Sequence, residues 1–283
     1  MKFFTALSSK IIFTVTHSPF FILLARRVNR WLSPKYDVKV NVHGLAMYVR
    51  TFDRWVAAWL WKGAFWEGYQ DTVVHQAVKK GMTVCDVGAN IGYHTLRMAQ
   101  WVGEQGRVFA FEPDAENYRL LVKNIAANNF KNVVAIQKAV CEKTGKACLY
   151  FCEGHRGDHR IFDSQDDRKT AAIETMAMDD FITEAGRVDF IKMDIQGAEG
   201  LALQGMDKFL RDNGRLIFMT EFEPILLLKA GTSPQHFLNR LIEYGFQLRW
   251  IDEKYRQVPS STVEEILMLG RIHKRINLFL EKK

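Results

Sequence analysis

A short strand, a glycine turn, a helix and a second strand follow one another in the first half of the chain. Thr83 to Val87 is an apolar run of the kind that forms buried parallel strands. Gly88 and Gly92 bracket the turn, where a backbone without Cβ atoms can approach a ligand closely. Helical spacing of apolar residues continues to Val102, and the second strand ends in Phe111. The pattern predicts a βαβ unit of a largely parallel α/β sheet.

A carboxylate stands at the end of the second strand. In a right-handed βαβ unit, Glu112 lies beside the glycine turn, where it can accept two hydrogen bonds from a ribose diol. The turn, Gly88-Ala89-Asn90-Ile91-Gly92, lacks the middle glycine that admits the pyrophosphate of a dinucleotide. The ligand therefore need not be a dinucleotide. The alternative interpretation is that the chain is an α/β protein of another kind, in which this glycine turn has only a structural role.

Three motifs together resemble the FkbM-type family of class I S-adenosylmethionine-dependent methyltransferases. They span Asp86 to Tyr93, Phe111 to Pro113 and Asp189 to Glu199. The third motif is the specific one, because generic class I methyltransferases do not share it. The resemblance implies a Rossmann-like α/β fold, S-adenosylmethionine as cofactor and O-methylation of hydroxyls on natural products, sugars or glycans. Gln196 stands where the family commonly has glutamate, and a neutral amide cannot serve as a base.

The resemblance also implies which residues hold the cofactor. In this family plan, the turn binds the methionine part, the strand-end acid binds the ribose, and small residues after the third strand face the adenine. His94, just after the turn, is expected to touch the methionine end of the cofactor or the acceptor. The implied cofactor-binding residues are Asp86, Gly88, Asn90, Gly92, His94, Glu112, Pro113 and Ala139.

Methyl transfer to a hydroxyl needs close positioning and a base that reaches the hydroxyl proton. Asp194 is the first candidate base because it ends a core strand at the cofactor edge; its alternative role is to cap the following turn. His159 is the second, in a polar insertion that can cover the site; its alternative is a solvent-exposed loop histidine. Glu221, at the end of the next strand, is a further catalytic candidate. Glu199 and Glu221 could bind a metal with Asp194, but without a clear ligand set no metal is predicted.

The chain is predicted to divide into three regions. Residues 1–70 form an N-terminal extension with a helix, a hairpin and an aromatic cluster. Residues 71–270 form the cofactor-binding domain, with a mostly parallel, doubly wound sheet and an antiparallel closing strand. Residues 266–269 are expected to be a closing strand, and the basic tail, residues 271–283, is expected to be helical.

The N-terminal extension carries two features with alternative interpretations. Residues 20–31 could form a basic amphipathic helix on an anionic membrane, or a helix packed on the domain. No apolar run there approaches the ~18 residues of a membrane span, and no secretory signal is recognisable. The aromatic cluster could line a sugar-binding surface or pack as core. Its members are Trp55, Trp59, Trp61, Phe65, Trp66 and Tyr69.

The charge of the chain keeps other acceptors in consideration. A net charge of +7 and a pI near 9.2 permit contact with nucleic acid or anionic lipid. An RNA methyltransferase is therefore the alternative enzyme, although the sequence lacks an Asn/Asp-Pro-Pro-Tyr/Phe motif and a Pro-Cys nucleophile. A membrane-associated, non-catalytic binding module is the third hypothesis. A small-molecule or glycan acceptor is favoured over nucleic acid.

The cysteines bear on the compartment. They lack zinc-site spacing and are predicted to be reduced in a cytoplasmic protein, with peripheral contact of residues 1–35 at the inner face of the membrane as an extension of that prediction. The four are Cys85, Cys141, Cys148 and Cys152.

Overall fold

The computed structural model describes residues 37–50, 68–152 and 155–282. The predicted amphipathic segment and the aromatic residues between Trp55 and Trp66 lie outside these ranges, so their roles stay predictions. The division of the chain into three regions also stays a prediction.

A β-hairpin precedes the main sheet, as predicted. It consists of β1 (Asp37–Val42) and β2 (Leu45–Arg50), which pair antiparallel around a turn in which His43 and Gly44 have positive φ. Asn124 and Asn128 side chains accept hydrogen bonds from backbone N–H groups of β2, at 2.6 and 2.9 Å respectively. The hairpin is therefore tied to the main domain by polar contacts as well as by apolar packing.

Seven strands form the central sheet. Their bounds are β3 (Thr83–Val87), β4 (Arg107–Phe111), β5 (Val133–Ile136), β9 (Phe190–Met193), β10 (Ile217–Phe222), β11 (Phe246–Gln247) and β12 (Ile276–Lys282). The order across the sheet is β11-β12-β10-β9-β3-β4-β5. The strands from β10 to β5 are parallel, and β12 runs antiparallel between β10 and β11. The predicted doubly wound, mostly parallel sheet with an antiparallel strand is confirmed.

A second, three-stranded sheet branches off after β5. It contains β6 (Ala139–Val140), β7 (Gly145–Tyr150) and β8 (Thr170–Met176), in the order β6-β8-β7. The polar insertion predicted from the sequence connects β7 to β8, next to the edge of the central sheet.

Nine helices lie in the described part of the chain. They are α1 (Gly68–Ala77), α2 (Tyr93–Val102), α3 (Ala115–Ala127), α4 (Met178–Ala185), α5 (Glu199–Gln204), α6 (Asp207–Asp212), α7 (Pro224–Lys229), α8 (Pro234–Glu243) and α9 (Val263–His273). Asp114 and Ser233 cap α3 and α8, as their side chains accept hydrogen bonds from backbone N–H groups three residues ahead.

Apolar helix faces cover both sides of the central sheet. Strand β3 shows the alternation: Cys85 and Val87 pack in one core cluster, which includes residues of α4 to α9, whereas Val84 packs in the other, which includes α1 and α2. Because both faces are buried, the parallel strands read as nearly continuous apolar runs. Their carboxyl ends meet at one edge of the sheet.

The C-terminal segment differs from the prediction. Residues 266–269 lie within α9, because Thr262 and Glu265 form a capping box that starts a helix, and Ile266 is buried on its inner face. The last strand is β12, which pairs with β10. The predictions of a strand at residues 266–269 and of a helix through the tail are therefore wrong.

The cysteines and the helices bear on the compartment only indirectly. All four cysteines are free thiols. In the part of the chain that the structure describes, every helix is too short or too polar to cross a bilayer.

Candidate active site

The turn after β3 has no space for a side chain at Gly88. Its φ is +82°, a conformation that favours glycine, and an added Cβ would overlap the carbonyl oxygen of Asp194. The N–H groups of Gly88 and Ala89 both donate to the carbonyl of Phe111, at 3.0 and 2.9 Å. The segments at the ends of two neighbouring strands therefore contact the turn from both sides. The turn itself exposes backbone atoms without a side chain at the edge of the sheet.

Glu112 is fixed against this turn. Its Oε2 accepts the Asn90 N–H at 2.8 Å, and its Oε1 accepts the Asp114 N–H at 3.0 Å. A carboxylate has about four acceptor positions; Oε1 also accepts the Asn117 side-chain amide at 3.5 Å, and Oε2 keeps capacity for another donor. Burial raises the pKa of Glu112 to about 7, against the opposing effect of the Asp114 N–H. The carboxyl group is thus buried and held by backbone N–H donors beside the turn, where the sequence predicts the ribose.

A cleft lies between the turn, Glu112 and the polar insertion. It brings together five of the predicted cofactor residues and two of the predicted catalytic residues. These are Gly88, Asn90, Glu112, Pro113 and Ala139, with Asp194 and His159.

Three other predicted cofactor residues lie behind the turn. Asp86 is fully buried and accepts the Thr95 hydroxyl at 2.6 Å. Gly92 has φ +97° at the start of α2, and a Cβ there would lie 2.8 Å from Leu121. His94 is buried beside Tyr93. None of the three is among the described residues that line the cleft, so direct contact with a cofactor stays a prediction for them.

Three carboxylates meet at the ends of β9 and β10. Asp194, Glu199 and Glu221 each place an oxygen within 4.8 Å of the others, which is the set that the sequence names as possible metal ligands. The amide nitrogen of Gln196 donates to Asp194 Oδ1 at 2.7 Å and to Glu221 Oε2 at 3.3 Å. Gln196 therefore bridges two of the acids, and the expectation of no bound metal stays a prediction.

The three carboxyl groups of this acid cluster differ in their basic neighbours and in their burial. Arg275 lies 3.1 Å from Glu221, and Lys192 lies 3.8 Å from Asp194. Burial raises the pKa of Glu199 to about 7, and burial together with Asp194 raises the pKa of Glu221 well above its usual range. Asp194 is the most open of the three, with 32% of its side chain exposed.

The polar insertion crosses the cleft. The backbone carbonyl of Arg156 accepts the side-chain amides of Asn117 and Asn90, at 3.2 and 3.5 Å, and its guanidinium pairs with Asp114 at 2.8 Å. His159 follows and lines the cleft, with its ring edge-to-face against Phe151.

Several residues of the site cannot be recognised from the sequence around them. Arg156 comes from the insertion and Arg275 from the residue before β12, so only the tertiary fold brings them here. Asn117 could have been found, because it lies one helical turn after the cap Asp114 and must face the strand end.

We expect S-adenosylhomocysteine to bind more weakly as the pH falls below about 7. The predicted contact of Glu112 with two ribose hydroxyls needs the ionised carboxylate as acceptor, and in the free protein burial raises the pKa of Glu112 to about 7. Linkage then gives about tenfold weaker binding at about pH 6 than at about pH 8. Calorimetric titrations across this range measure the effect.

The matched variant for this test is Glu112→Gln. It should bind about 30-fold more weakly at the higher pH, because charge-assisted hydrogen bonds are lost, and should lose most of the pH dependence. Glu104→Gln, at an exposed glutamate, should match the wild type. A Glu112→Gln variant with unchanged affinity would contradict the assigned ribose site.

Comparisons with known proteins identify the family of this chain. The family model of the methyltransferase FkbM domain matches residues 86–248, more than half of the chain. Methyltransferase sdnD of Sordaria araneosa is 25% identical over 215 residues, which cover 62% of this chain and 80% of that protein. Methyltransferase 1 of Beauveria bassiana (strain ARSEF 2860) is 25% identical over 145 residues, which cover 44% of this chain and 58% of that protein.

Solved structures of methyltransferases resemble this chain more distantly. A SAM-dependent O-methyltransferase of Thermotoga maritima is 14% identical, with a TM-score of 0.43 and coverage of 90% of this chain and 81% of that one. Fibrillarin of Aeropyrum pernix, crystallised with natively bound S-adenosyl-L-methionine, is 14% identical, with a TM-score of 0.41 and coverage of 87% and 84%.

The residues of the cleft fit the cofactor of this family. Gly88 presents bare backbone in the cleft wall, where a side chain would overlap Asp194, and Glu112 keeps an acceptor position for a ribose hydroxyl. The chain belongs to the FkbM methyltransferase family and is an S-adenosylmethionine-dependent methyltransferase.

Proposed function

We propose that the enzyme methylates a hydroxyl oxygen of a sugar, a glycan or another natural product. The observation that supports this most is Asp194, a partly exposed carboxylate in the wall of the cofactor cleft. A hydroxyl loses its proton as it is methylated, and a carboxylate within hydrogen-bond reach can accept it. Amines and activated carbons place other demands on a site, so an acid at this position favours oxygen.

S-adenosylmethionine, when bound, supplies a methyl group on a positively charged sulfur. Gly88, Asn90 and Glu112 would hold it, with Pro113 and Ala139 beside the nucleoside part. The protein's own task is then to fix the acceptor hydroxyl in line with that methyl group, which accounts for much of the acceleration in such displacements.

Within the acid cluster, the roles divide by environment. Gln196 occupies Asp194 Oδ1 as a donor, which leaves Oδ2 for the acceptor hydroxyl. Lys192 Nζ lies 3.8 Å from that oxygen. Burial and Asp194 raise the pKa of Glu221 well above its usual range, and its carboxyl group accepts the Gln196 amide, so we assign Glu221 to orienting Gln196.

The acceptor class can be tested without knowing the acceptor. Extracts of cells without the gene are incubated with the purified enzyme and S-adenosylmethionine that carries a deuterated methyl group. Mass spectrometry of glycans and small metabolites should then find the label on oxygen. A label on nitrogen or carbon would overturn the proposal, and a label on added RNA would establish the alternative enzyme.

A further inference from the structure

The ring of His159 is held in one tautomer. Its Nδ1 lies 3.1 Å from the backbone nitrogen of Cys152, whose N–H donates to it. A backbone N–H can only donate, so Nδ1 must offer a lone pair. The neutral ring therefore carries its hydrogen on Nε2. The hydrogen bond that one ring nitrogen makes commonly decides which of the two nitrogens is protonated.

The surroundings keep this ring neutral. Burial lowers the pKa of His159 to about 4, and the positive charges of Arg156 and Arg168 act in the same direction. Asp114 and Asp158 oppose them, without restoring the usual value. Across the neutral range, His159 thus has one nitrogen occupied as an acceptor and the other protonated, which leaves no lone pair for a substrate proton.

The Nε2–H group is buried and meets no partner among the described residues. A buried donor without an acceptor is unfavourable, and native proteins seldom keep one unless a ligand or water meets it. Asn117 adds a second such atom in the same cleft, since its Oδ1 is buried and has no partner in the described chain. The cleft therefore offers one unmet donor and one unmet acceptor.

The position of His159 indicates which part of the cofactor it meets. Arg156, three residues earlier, is anchored on Asp114, just past the ribose-binding Glu112. The apolar part of the cleft wall includes Ala139 and Leu149, which suit a flat ring. His159 thus lies toward the nucleoside end, where the ring nitrogens of the purine offer acceptors beside this apolar wall.

We propose that the Nε2–H of His159 donates a hydrogen bond to a ring nitrogen of the cofactor's adenine, so that His159 selects the base and does not accept the substrate proton. The inference requires only that the cofactor binds in this cleft, and it is independent of which acceptor is methylated. It gives His159 a role different from the catalytic one predicted from the sequence, which stays a prediction.

Deaza analogues of S-adenosylhomocysteine test this directly. The 1-, 3- and 7-deaza compounds each replace one ring nitrogen by a C–H group. We expect wild-type protein to bind one of the three about 3- to 10-fold more weakly than the parent compound, since a hydrogen bond to a buried group is lost. Isothermal titration calorimetry of all four compounds gives the ratios.

Two variants separate hydrogen bonding from packing. His159→Phe should bind all four compounds alike, because it keeps an aromatic ring against Phe151 but no donor. His159→Gln should regain much of the discrimination, because its amide can place a donor near the Nε2 position. His236→Phe, at an exposed histidine of α8, should retain the wild-type ratios.

The outcomes decide between the roles. Equal binding of all four compounds by the wild type would overturn the proposal, as would a His159→Phe variant that keeps the wild-type preference. A long-range ¹H–¹⁵N spectrum of histidine-labelled protein provides a separate check: Nε2 should be the protonated nitrogen from pH 6 to 8, and protonation on Nδ1 would refute the tautomer. Failure to find an O-methylated product would leave these measurements unaffected.

Discussion

Gly88→Ala should weaken binding of S-adenosylhomocysteine at least about 100-fold. The new methyl group would overlap the carbonyl oxygen of Asp194, so β3 and β9 would have to separate where the cofactor binds. The backbone at Gly88 also has φ +82°, which costs a non-glycine residue about 1–2 kcal/mol. Together we expect a loss of about 2–4 kcal/mol in the free energy of unfolding. Calorimetry and urea denaturation measure the two effects separately.

Gly81 provides the matched control. Its φ is +81°, almost the same as at Gly88, but an added Cβ would meet nothing within 4 Å. Gly81→Ala should therefore show the conformational cost alone, about 1–2 kcal/mol, with affinity within about twofold of the wild type. If both variants lost binding equally, general destabilisation would explain the result and the close approach at Gly88 would not.

The glycine turn and Glu112 could be predicted because they belong to one βαβ unit. Within such a unit, the handedness of the connection fixes where a strand-end acid lies relative to the preceding turn. The structure confirms this placement through the hydrogen bond from Asn90 N–H to Glu112. The helix starts at Asp114 and Ser233 also depend only on local sequence. In each case the side chain accepts a hydrogen bond from a backbone N–H group three residues ahead.

The end of the chain could not be assigned from apolar runs alone. Ile266 to Leu269 and Ile276 to Leu280 are both short and apolar, and periodicity does not separate a buried strand from a buried helix face over such lengths. The distinguishing signal lay just upstream, where Thr262 and Glu265 have the spacing of a capping box.

The acid cluster shows a different limit. Asp194 and Glu221 could be proposed from the ends of their strands, but the bridging contacts of Gln196 depend on the tertiary fold. A sequence shows only that an amide replaces an acid there. The structure shows that the amide donates to two carboxyl groups, a role that a glutamate, with at most one O–H donor, could not fill.

Asp194→Asn should lower kcat by about 100- to 10,000-fold, the usual contribution of a general base. The replacement has nearly the same shape, so the turn at Gly88 should keep its structure and the Kd for S-adenosylhomocysteine should stay within about threefold of the wild type. Single-turnover methyl transfer to the acceptor, once that is identified, measures the chemical step.

A split between kcat and cofactor affinity distinguishes a base from a structural acid. If Asp194 only caps the turn, its replacement should weaken cofactor binding and stability while the chemical step in the bound complex stays fast. If it accepts the hydroxyl proton, the chemical step should slow and its rise with pH should disappear. Asp212→Asn, at an exposed aspartate of α6, should change neither quantity. Glu221→Gln adds a final comparison: because Glu221 is assigned to orienting Gln196, its amide variant should cost far less in kcat than Asp194→Asn. The reverse order would assign the base to Glu221.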